Sequence, residues 1–148
     1  MAPIVSTIEI DRPPDEVFSY VTDPSRFPEW QKDVVSGHME GGGPQSVGSR
    51  FVTTRRIGNT ERTMTQEITE INPPRSWAVR GSEGPVRAMA KVTIEPLNEG
   101  ARSRVTIALD FEGHGIGRLL VPLVVIPQTR KISPVSNRNL KRRLESGA

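Results

Sequence analysis

The chain has 148 residues, of which 34% are hydrophobic, 25% are charged and none is cysteine. This length predicts one domain, residues 1–148, that can bury a full core without disulfide bonds. The lack of cysteine excludes disulfide frameworks, thiolate zinc sites and thiol nucleophiles. The longest apolar run, 119–126, contains Pro122 and is too short to span a membrane. No basic segment precedes an apolar one at the N-terminus, so we expect no signal peptide and a cytoplasmic protein.

Positive charge is concentrated near the end of the chain. The net charge is +3, yet residues 118–148 hold seven Lys or Arg against Glu145 alone, a local balance of +6. Such a segment is either a solvated helix face or a surface that attracts nucleic acid or anionic lipid. No basic stripe alternates with aromatic residues, so the pattern does not favour nucleic-acid binding.

The first thirty residues predict a strand followed by two short helices. Alternating apolar residues indicate a strand at 4–10. Pro14 favours the start of a helix there, because proline lacks an N–H that the first helical turn would leave unpaired. Asp23 is suited to cap a second short helix that has Pro24 as its first residue and ends at Trp30.

Residues 31–112 predict consecutive antiparallel strands. Apolar and polar residues alternate in several segments, and Gly58-Asn59 is typical of a two-residue hairpin turn. The strands expected in this region, about six in all, include 51–57, 62–71, 77–80, 86–94 and 104–111.

After residue 116 the apolar spacing becomes helical. Pro122, Pro127 and Pro134 each remove a helical hydrogen bond, so we expect this helix to be kinked or broken. The order of elements predicts an α+β domain. The last helix is the element long enough to cover the apolar face of the sheet, and a gap between them would form a pocket.

The central hairpin predicts one group of binding residues. In each of its strands alternate side chains point to the same face of the sheet. If the more apolar face meets the C-terminal helix, its side chains line the pocket. These candidates are Phe51, Thr53, Arg55, Met64 and Gln66.

Arg55 and Gln66 are the polar side chains that we expect to orient a ligand. A polar group in an apolar chamber needs a partner, and a ligand carbonyl, hydroxyl or carboxylate would supply one. Two alternatives stay open: a reversed strand parity, and an ion pair of Arg55 with an acid such as Glu67. The other lining candidates, for which plain core packing is the alternative, are Trp30 near the pocket entrance, Trp77, Phe111, Val121 and Val125.

The chain offers little for metal or nucleophile chemistry. His38 and His114 are far apart and neither has a second ligand at metal-binding spacing, so we expect no metal site. No serine lies in a strand–turn–helix elbow of the kind that hydrolases use. His114 in GHGIG fits either a general base or an exposed connector.

Several segments together carry a family pattern. Near the start they are the strand leading into Arg12-Pro13-Pro14, Val17-Phe18, Asp23-Pro24 and Phe27-Pro28-Glu29-Trp30. Later ones are VGSRF at 47–51, ITEINPPRSW at 68–77, IEPLNEGARSRVT at 94–106 and NLKRRLES at 139–146. On these segments the whole chain resembles the START-like helix-grip superfamily (SRPBCC), in its polyketide cyclase/dehydrase and lipid-transport branch. The resemblance implies a curved antiparallel sheet of about seven strands wrapped on a long C-terminal helix, with two short helices after the first strand.

The resemblance implies a cavity that binds a hydrophobic small molecule, such as a lipid or polyketide, for transport or sequestration. The first alternative is a cyclase, aromatase or dehydratase that uses the same cavity, with acid–base candidates Arg55, Gln66, Tyr20 and His114. The second alternative is an interaction module that binds through its basic C-terminal helix. None of the three requires a cofactor, and both a monomer and a homodimer remain open.

Overall fold

The computed structural model describes residues 3–82 and 84–146. Its strands are β1 (Ile4–Ile10), β2 (Val34–Met39), β3 (Arg50–Ile57), β4 (Thr60–Asn72), β5 (Ser76–Gly81), β6 (Val86–Leu97) and β7 (Arg102–Gly113). Its α-helices are α1 (Pro14–Val21), α2 (Phe27–Trp30), α3 (Gly117–Leu120) and α4 (Ile126–Glu145). Short 3₁₀ turns lie at Pro24–Arg26 and Asn98–Gly100.

The seven strands form one antiparallel sheet in the order β1-β7-β6-β5-β4-β3-β2, curled into a half-barrel. From β2 to β7 each strand pairs with the next along the chain, whereas β1 pairs with β7. A long C-terminal helix completes the α+β helix-grip architecture, which confirms the predicted fold.

The β3–β4 hairpin turns at Gly58-Asn59, as predicted. Ile57 pairs with Thr60, which leaves a two-residue loop between the strands. Gly58 has a φ of 62°, a left-handed conformation that a residue without Cβ adopts at no steric cost. The turn therefore sets the register of the two strands that carry the central candidates.

The inner face of the sheet is the predicted one. Phe51 and Thr53 on β3, and Met64 and Gln66 on β4, are all buried. The reversed parity that the sequence left open is therefore wrong. The main core cluster joins this face to α1, α2 and the second half of α4, where Leu140 is fully buried.

The C-terminal helix is continuous over 29 residues, from α3 through a π-helical turn at Val121–Val125 into α4. The sequence predicted a helix that is kinked or broken at its prolines; the helix is irregular at the π turn but is not broken. The π turn, which is wider than an α-helical turn, contains Pro122 and is followed by Pro127. Each of these prolines lacks an N–H group, so the ordinary helical hydrogen-bond pattern is disturbed there. Pro134 lies inside α4. No helix within the described residues is both long enough and apolar enough to cross a bilayer.

The end of α4 is fastened to the end of β1 by polar contacts. The Asp11 N–H donates to Glu145 Oε2 at 2.8 Å, and Arg12 Nη2 donates to the Glu145 carbonyl at 2.8 Å. Lys141 Nζ donates to the Glu9 carbonyl at 2.7 Å. These bonds hold the end of the helix against the end of β1.

Candidate ligand-binding cavity

A cavity of about 120 Å³ lies between the inner face of the sheet and the C-terminal helix. Aliphatic side chains from four strands, β3, β5, β6 and β7, form much of its wall, among them Val79, Ala90, Val92, Ile107 and Leu109. An apolar cavity of about 150 Å³ accepts a benzene molecule. The cavity is therefore the right size for a single ring or a short branched chain.

Aromatic side chains are concentrated at this cavity. Phe27, Trp30, Phe51, Trp77 and Phe111 line it, although the chain has only seven aromatic residues. The Phe51 and Trp77 rings stack at 5.8 Å between centroids, and Phe27 meets both edge-on, at 6.0 and 6.3 Å. These geometries are the favoured ones for aromatic pairs, so one part of the wall is rigid and presents ring surfaces.

A half-buried charged cluster also lines the cavity. Arg55 Nη1 donates to Gln31 Oε1 at 2.9 Å and to Asp33 Oδ2 at 3.3 Å. The partner of Arg55 is thus Asp33, and the suggested pair with Glu67 is wrong because Glu67 lies opposite Arg50 in the register. The guanidinium is neutralised within the protein, yet it keeps donors beyond those two bonds.

Two buried polar atoms of the lining have no partner in the described structure. They are Trp30 Nε1, a donor, and Gln66 Oε1, an acceptor, on side chains that are 6% and 4% exposed. The second tryptophan differs, since Trp77 Nε1 donates to Gln45 Oε1 at 2.9 Å. A buried donor or acceptor without a partner costs free energy, so a ligand polar group that paired with either atom would recover it.

The helix side of the cavity is polar. Thr129, Ser133 and Ser136 follow one another at spacings of four and three, which places them on the inner face of α4. Asn137, also at the cavity, donates from Nδ2 to Ser6 Oγ on β1 at 2.9 Å. The cavity thus has an apolar sheet wall and a helix wall that offers hydroxyl groups.

The structure places seven of the ten predicted lining residues at the cavity: Trp30, Phe51, Arg55, Gln66, Trp77, Phe111 and Val125. Thr53, Met64 and Val121 are buried but are not part of the lining. Met64 and Val121 belong instead to a second apolar cluster with Ile57, Val86 and Val125, which fills the space beneath the π turn.

Two of the four acid–base candidates lie away from the cavity. Tyr20 Oη donates to Glu29 Oε1 at 2.9 Å, and burial together with this bond raises the pKa of Tyr20 to about 12. His114 Nε2 is hydrogen-bonded to Glu112 at the end of β7. Only Arg55 and Gln66 of the four line the cavity. Among the described residues no three His, Asp or Glu side chains cluster as metal ligands would.

Sequence reasoning missed Gln31, Asp33 and the polar side chains of α4. Gln31 and Asp33 lie in the connection between α2 and β2, where neither strand nor helix periodicity applies. The helix residues did carry a signal, because Thr129, Ser133 and Ser136 have the spacing of one face. Prolines lie in the same segment, and from them the sequence predicted a kinked or broken helix rather than a polar helix face.

A curled sheet gripping a C-terminal helix, with a cavity between the two, defines a START-like helix-grip (SRPBCC) protein. In sequence, residues 1–145 match the family described as polyketide cyclase / dehydrase and lipid transport, and the chain belongs to that family. The resemblance read from the sequence is thereby confirmed. No curated protein is significantly similar to the chain in sequence.

Solved structures share the fold at low sequence identity. The di-domain ARO/CYC BexL of the BE-7585A biosynthetic pathway is 19% identical with a TM-score of 0.71, covering 98% of this chain but 47% of BexL. The chain thus spans about half of that protein. The Zhui aromatase/cyclase of Streptomyces sp. R1128 is 14% identical with a TM-score of 0.74, over 99% and 97% of the two chains. A Thermus thermophilus protein is 18% identical with a TM-score of 0.77, over 99% of both. At these identities the likeness shows the fold alone.

Proposed function

We propose that this protein binds a hydrophobic small molecule of the lipid or polyketide class in the cavity between sheet and helix, as a carrier or a sequestering protein. The strongest support is the cavity itself, a mainly apolar space of about 120 Å³ whose lining includes an unpaired buried donor and an unpaired buried acceptor. A purely structural core would be filled, and its polar atoms would be paired.

The ligand chemistry follows from the lining. The aromatic and aliphatic wall would contact a ring or a branched apolar group of the ligand. The volume of the cavity is sufficient for one such group only. Trp30 Nε1 would donate to a ligand oxygen, and Gln66 Oε1 would accept from a ligand hydroxyl. A larger lipid or polyketide would bury one end here and leave the remainder outside.

Substitution at Ala90 tests this function. Ala90 lines the cavity, whereas Ala108 has the opposite parity on the adjacent strand, next to Leu109, the residue that pairs with Ala90. Ala90→Leu adds three carbon atoms inside the cavity, and Ala108→Leu adds them on the outer face. Trp30 and Trp77, the two tryptophans of the chain, both line the cavity, so their fluorescence reports its occupation.

We expect toluene to give a saturable fluorescence change with the wild type and with Ala108→Leu, and at least tenfold weaker binding with Ala90→Leu. Native mass spectrometry of the purified protein should also show a ligand mass that is lost on denaturation. Absence of saturable binding by the wild type, or equal binding by both variants, would contradict the proposal.

Catalysis by a cyclase, aromatase or dehydratase mechanism is the second candidate function. It is favoured by one observation, a carboxylate and a guanidinium, Asp33 and Arg55, that line the cavity together. Arg55 would polarise a ligand carbonyl while Asp33 accepted a proton. If the recovered ligand loses water on incubation with the wild type but not with Asp33→Asn, the protein is an enzyme. If both proteins release it unchanged, it is a binding protein.

A further inference from the structure

Three large apolar side chains are exposed together at the start of the C-terminal helix. Ile116, Leu119 and Leu123 are 57%, 65% and 70% exposed. The neighbouring Val121 and Val125 are buried against the sheet, so packing within the protein explains why these two positions are apolar. It does not explain the apolar character of the three exposed side chains. An exposed cluster of this kind marks an interaction surface more often than isolated apolar residues do.

The same face of the helix continues into positive charge. Counting on from Leu123 by four and then by three or four gives Pro127, Arg130 and Lys131, all exposed. The stripe 116–131 is therefore apolar in its first half and cationic in its second. We call this set of exposed residues the docking stripe: Ile116, Leu119, Leu123, Pro127, Arg130 and Lys131.

The cations of the stripe are not neutralised within the part of the chain that the structure describes. No described Asp or Glu lies within ion-pair distance of Arg130 or Lys131, nor of the adjacent Arg118. The sequence from Gly113 to Leu144 contains no acidic residue at all. The stripe thus offers apolar surface and positive charge that the described part of the protein leaves unmatched.

We infer that the docking stripe binds the surface of an anionic phospholipid bilayer. The leucines and Ile116 would enter the boundary between headgroups and acyl chains, and Arg130 and Lys131 would meet lipid phosphates. A nucleic acid would match the cations but leave the apolar half uncovered. A second copy of this chain would cover the apolar half but bring unpaired cations toward one another. The bilayer is the partner whose chemistry fits both halves.

The placement also puts the cavity next to the membrane. Val125, Gln128, Thr129 and Ile132, on the inner side of the same helix segment, line the cavity. The inference does not depend on the proposed function, because the docking stripe faces outward and can bind a bilayer whether or not the cavity holds a ligand.

Vesicle co-sedimentation tests the inference. The wild type is mixed with vesicles of phosphatidylcholine alone and with vesicles of equal parts phosphatidylcholine and phosphatidylglycerol, at rising salt. The test variant is Leu119→Glu/Leu123→Glu. The matched control is Val47→Glu, because Val47 is 65% exposed and lies in the connection before β3. All these positions are exposed, so the variants should fold, which circular dichroism checks.

We expect the wild type and Val47→Glu to bind the mixed vesicles, with binding that weakens as salt rises. The double Leu variant should bind at least tenfold more weakly. Arg130→Gln and Lys131→Gln should each weaken binding about fivefold, the equivalent of about 1 kcal/mol per charge. Failure of the wild type to bind, or equal binding by the double variant, would overturn the inference. So would a lipid-free dimer, seen by light scattering, that the double variant converts to a monomer.

Discussion

The two tryptophans contact the same cavity, yet their indole N–H groups are in different states. Trp77 Nε1 is paired with Gln45, whose own Nε2 donates to the Thr22 carbonyl at 2.8 Å. Trp30 Nε1 is buried without a partner. The Trp77 bond therefore fixes a loop against the sheet, whereas the free N–H of Trp30 is a cost to the unliganded fold. This difference makes Trp30 the better candidate to touch a ligand.

Substitution of each tryptophan by phenylalanine should separate these roles. Both changes remove similar apolar volume, but Trp77→Phe also leaves Gln45 Oε1 unpaired, while Trp30→Phe removes an unpaired donor. We expect Trp30→Phe to be more stable than Trp77→Phe by about 2 kcal/mol. In a protein of this length that difference corresponds to a melting-temperature gap of about 4–8 °C, measurable by calorimetry on the unliganded protein. Equal melting temperatures would show that the two N–H groups are equivalent.

At the scale of elements, the π turn and the glycine before it determine how the C-terminal helix leaves the sheet. The Gly117 backbone packs directly on Pro85, in the connection between β5 and β6, so that an added Cβ would lie 1.7 Å from the Pro85 carbonyl oxygen. The His114 N–H donates to that same oxygen at 2.8 Å. The helix can therefore begin at this place only because residue 117 has no side chain.

Gly117→Ala should destabilise the protein, although alanine favours helix by about 1 kcal/mol over glycine. The clash with Pro85 outweighs helix propensity, because the added Cβ is held rigidly by the helix backbone and meets a backbone carbonyl, so the helix start must move. We expect a loss of about 2 kcal/mol or more in the free energy of unfolding, read from urea denaturation. Leu119→Ala, two residues further at an exposed position, serves as the control and should change stability by less than about 0.5 kcal/mol. If the Gly117→Ala protein is as stable as the wild type, the backbone at Pro85 or at residue 117 can shift at little cost in free energy, which would contradict this account.

The accuracy of the prediction from sequence differs between the strands, the connections and the C-terminal helix. Strand alternation predicted the inner face of β3 and β4 correctly, because residues with a period of two reveal their side from neighbours alone. It could not place Asp33, which lies in an irregular connection and meets Arg55 only through tertiary packing. The continuity of the helix through Pro122 and Pro127 could not be predicted from the sequence either, since local rules treat an interior proline as a break. Contact with the sheet at Val121 and Val125 holds the segment helical.

For the whole molecule, the first and last elements depend on each other. Glu145 Oε2 accepts hydrogen bonds from Lys141 Nζ and from the Asp11 N–H, both at 2.8 Å. These bonds, the one from Lys141 first, lower the pKa of Glu145 below its ordinary value. The ionised carboxylate therefore stabilises the fold. This contribution is complete above the ordinary pKa of a glutamate and is lost as the pH falls through the lowered one.

Glu145→Gln should destabilise the protein at neutral pH by about 0.5–1 kcal/mol, the range of a partly exposed ion pair. The difference from the wild type should shrink as the pH drops below the usual glutamate range, because the wild-type carboxylate then becomes neutral as well. Urea denaturation at several pH values measures it. Glu61→Gln, which removes an exposed pair with Arg56 at the far hairpin, is the control and should have little effect. A deficit that persists in acid would contradict this account.

The pairing of β1 with β7 has a consequence for synthesis. Ile4 is made about a hundred residues before Leu109, the residue with which it pairs in register, and Glu145 completes the attachment from the other side. While the ribosome makes the residues in between, the hairpins from β2 to β6 can form in order, but β1 has no neighbour to join. Closure of the half-barrel must wait until β7 has emerged from the exit tunnel. A nascent chain halted before that point should still be cleaved by protease within its first strand.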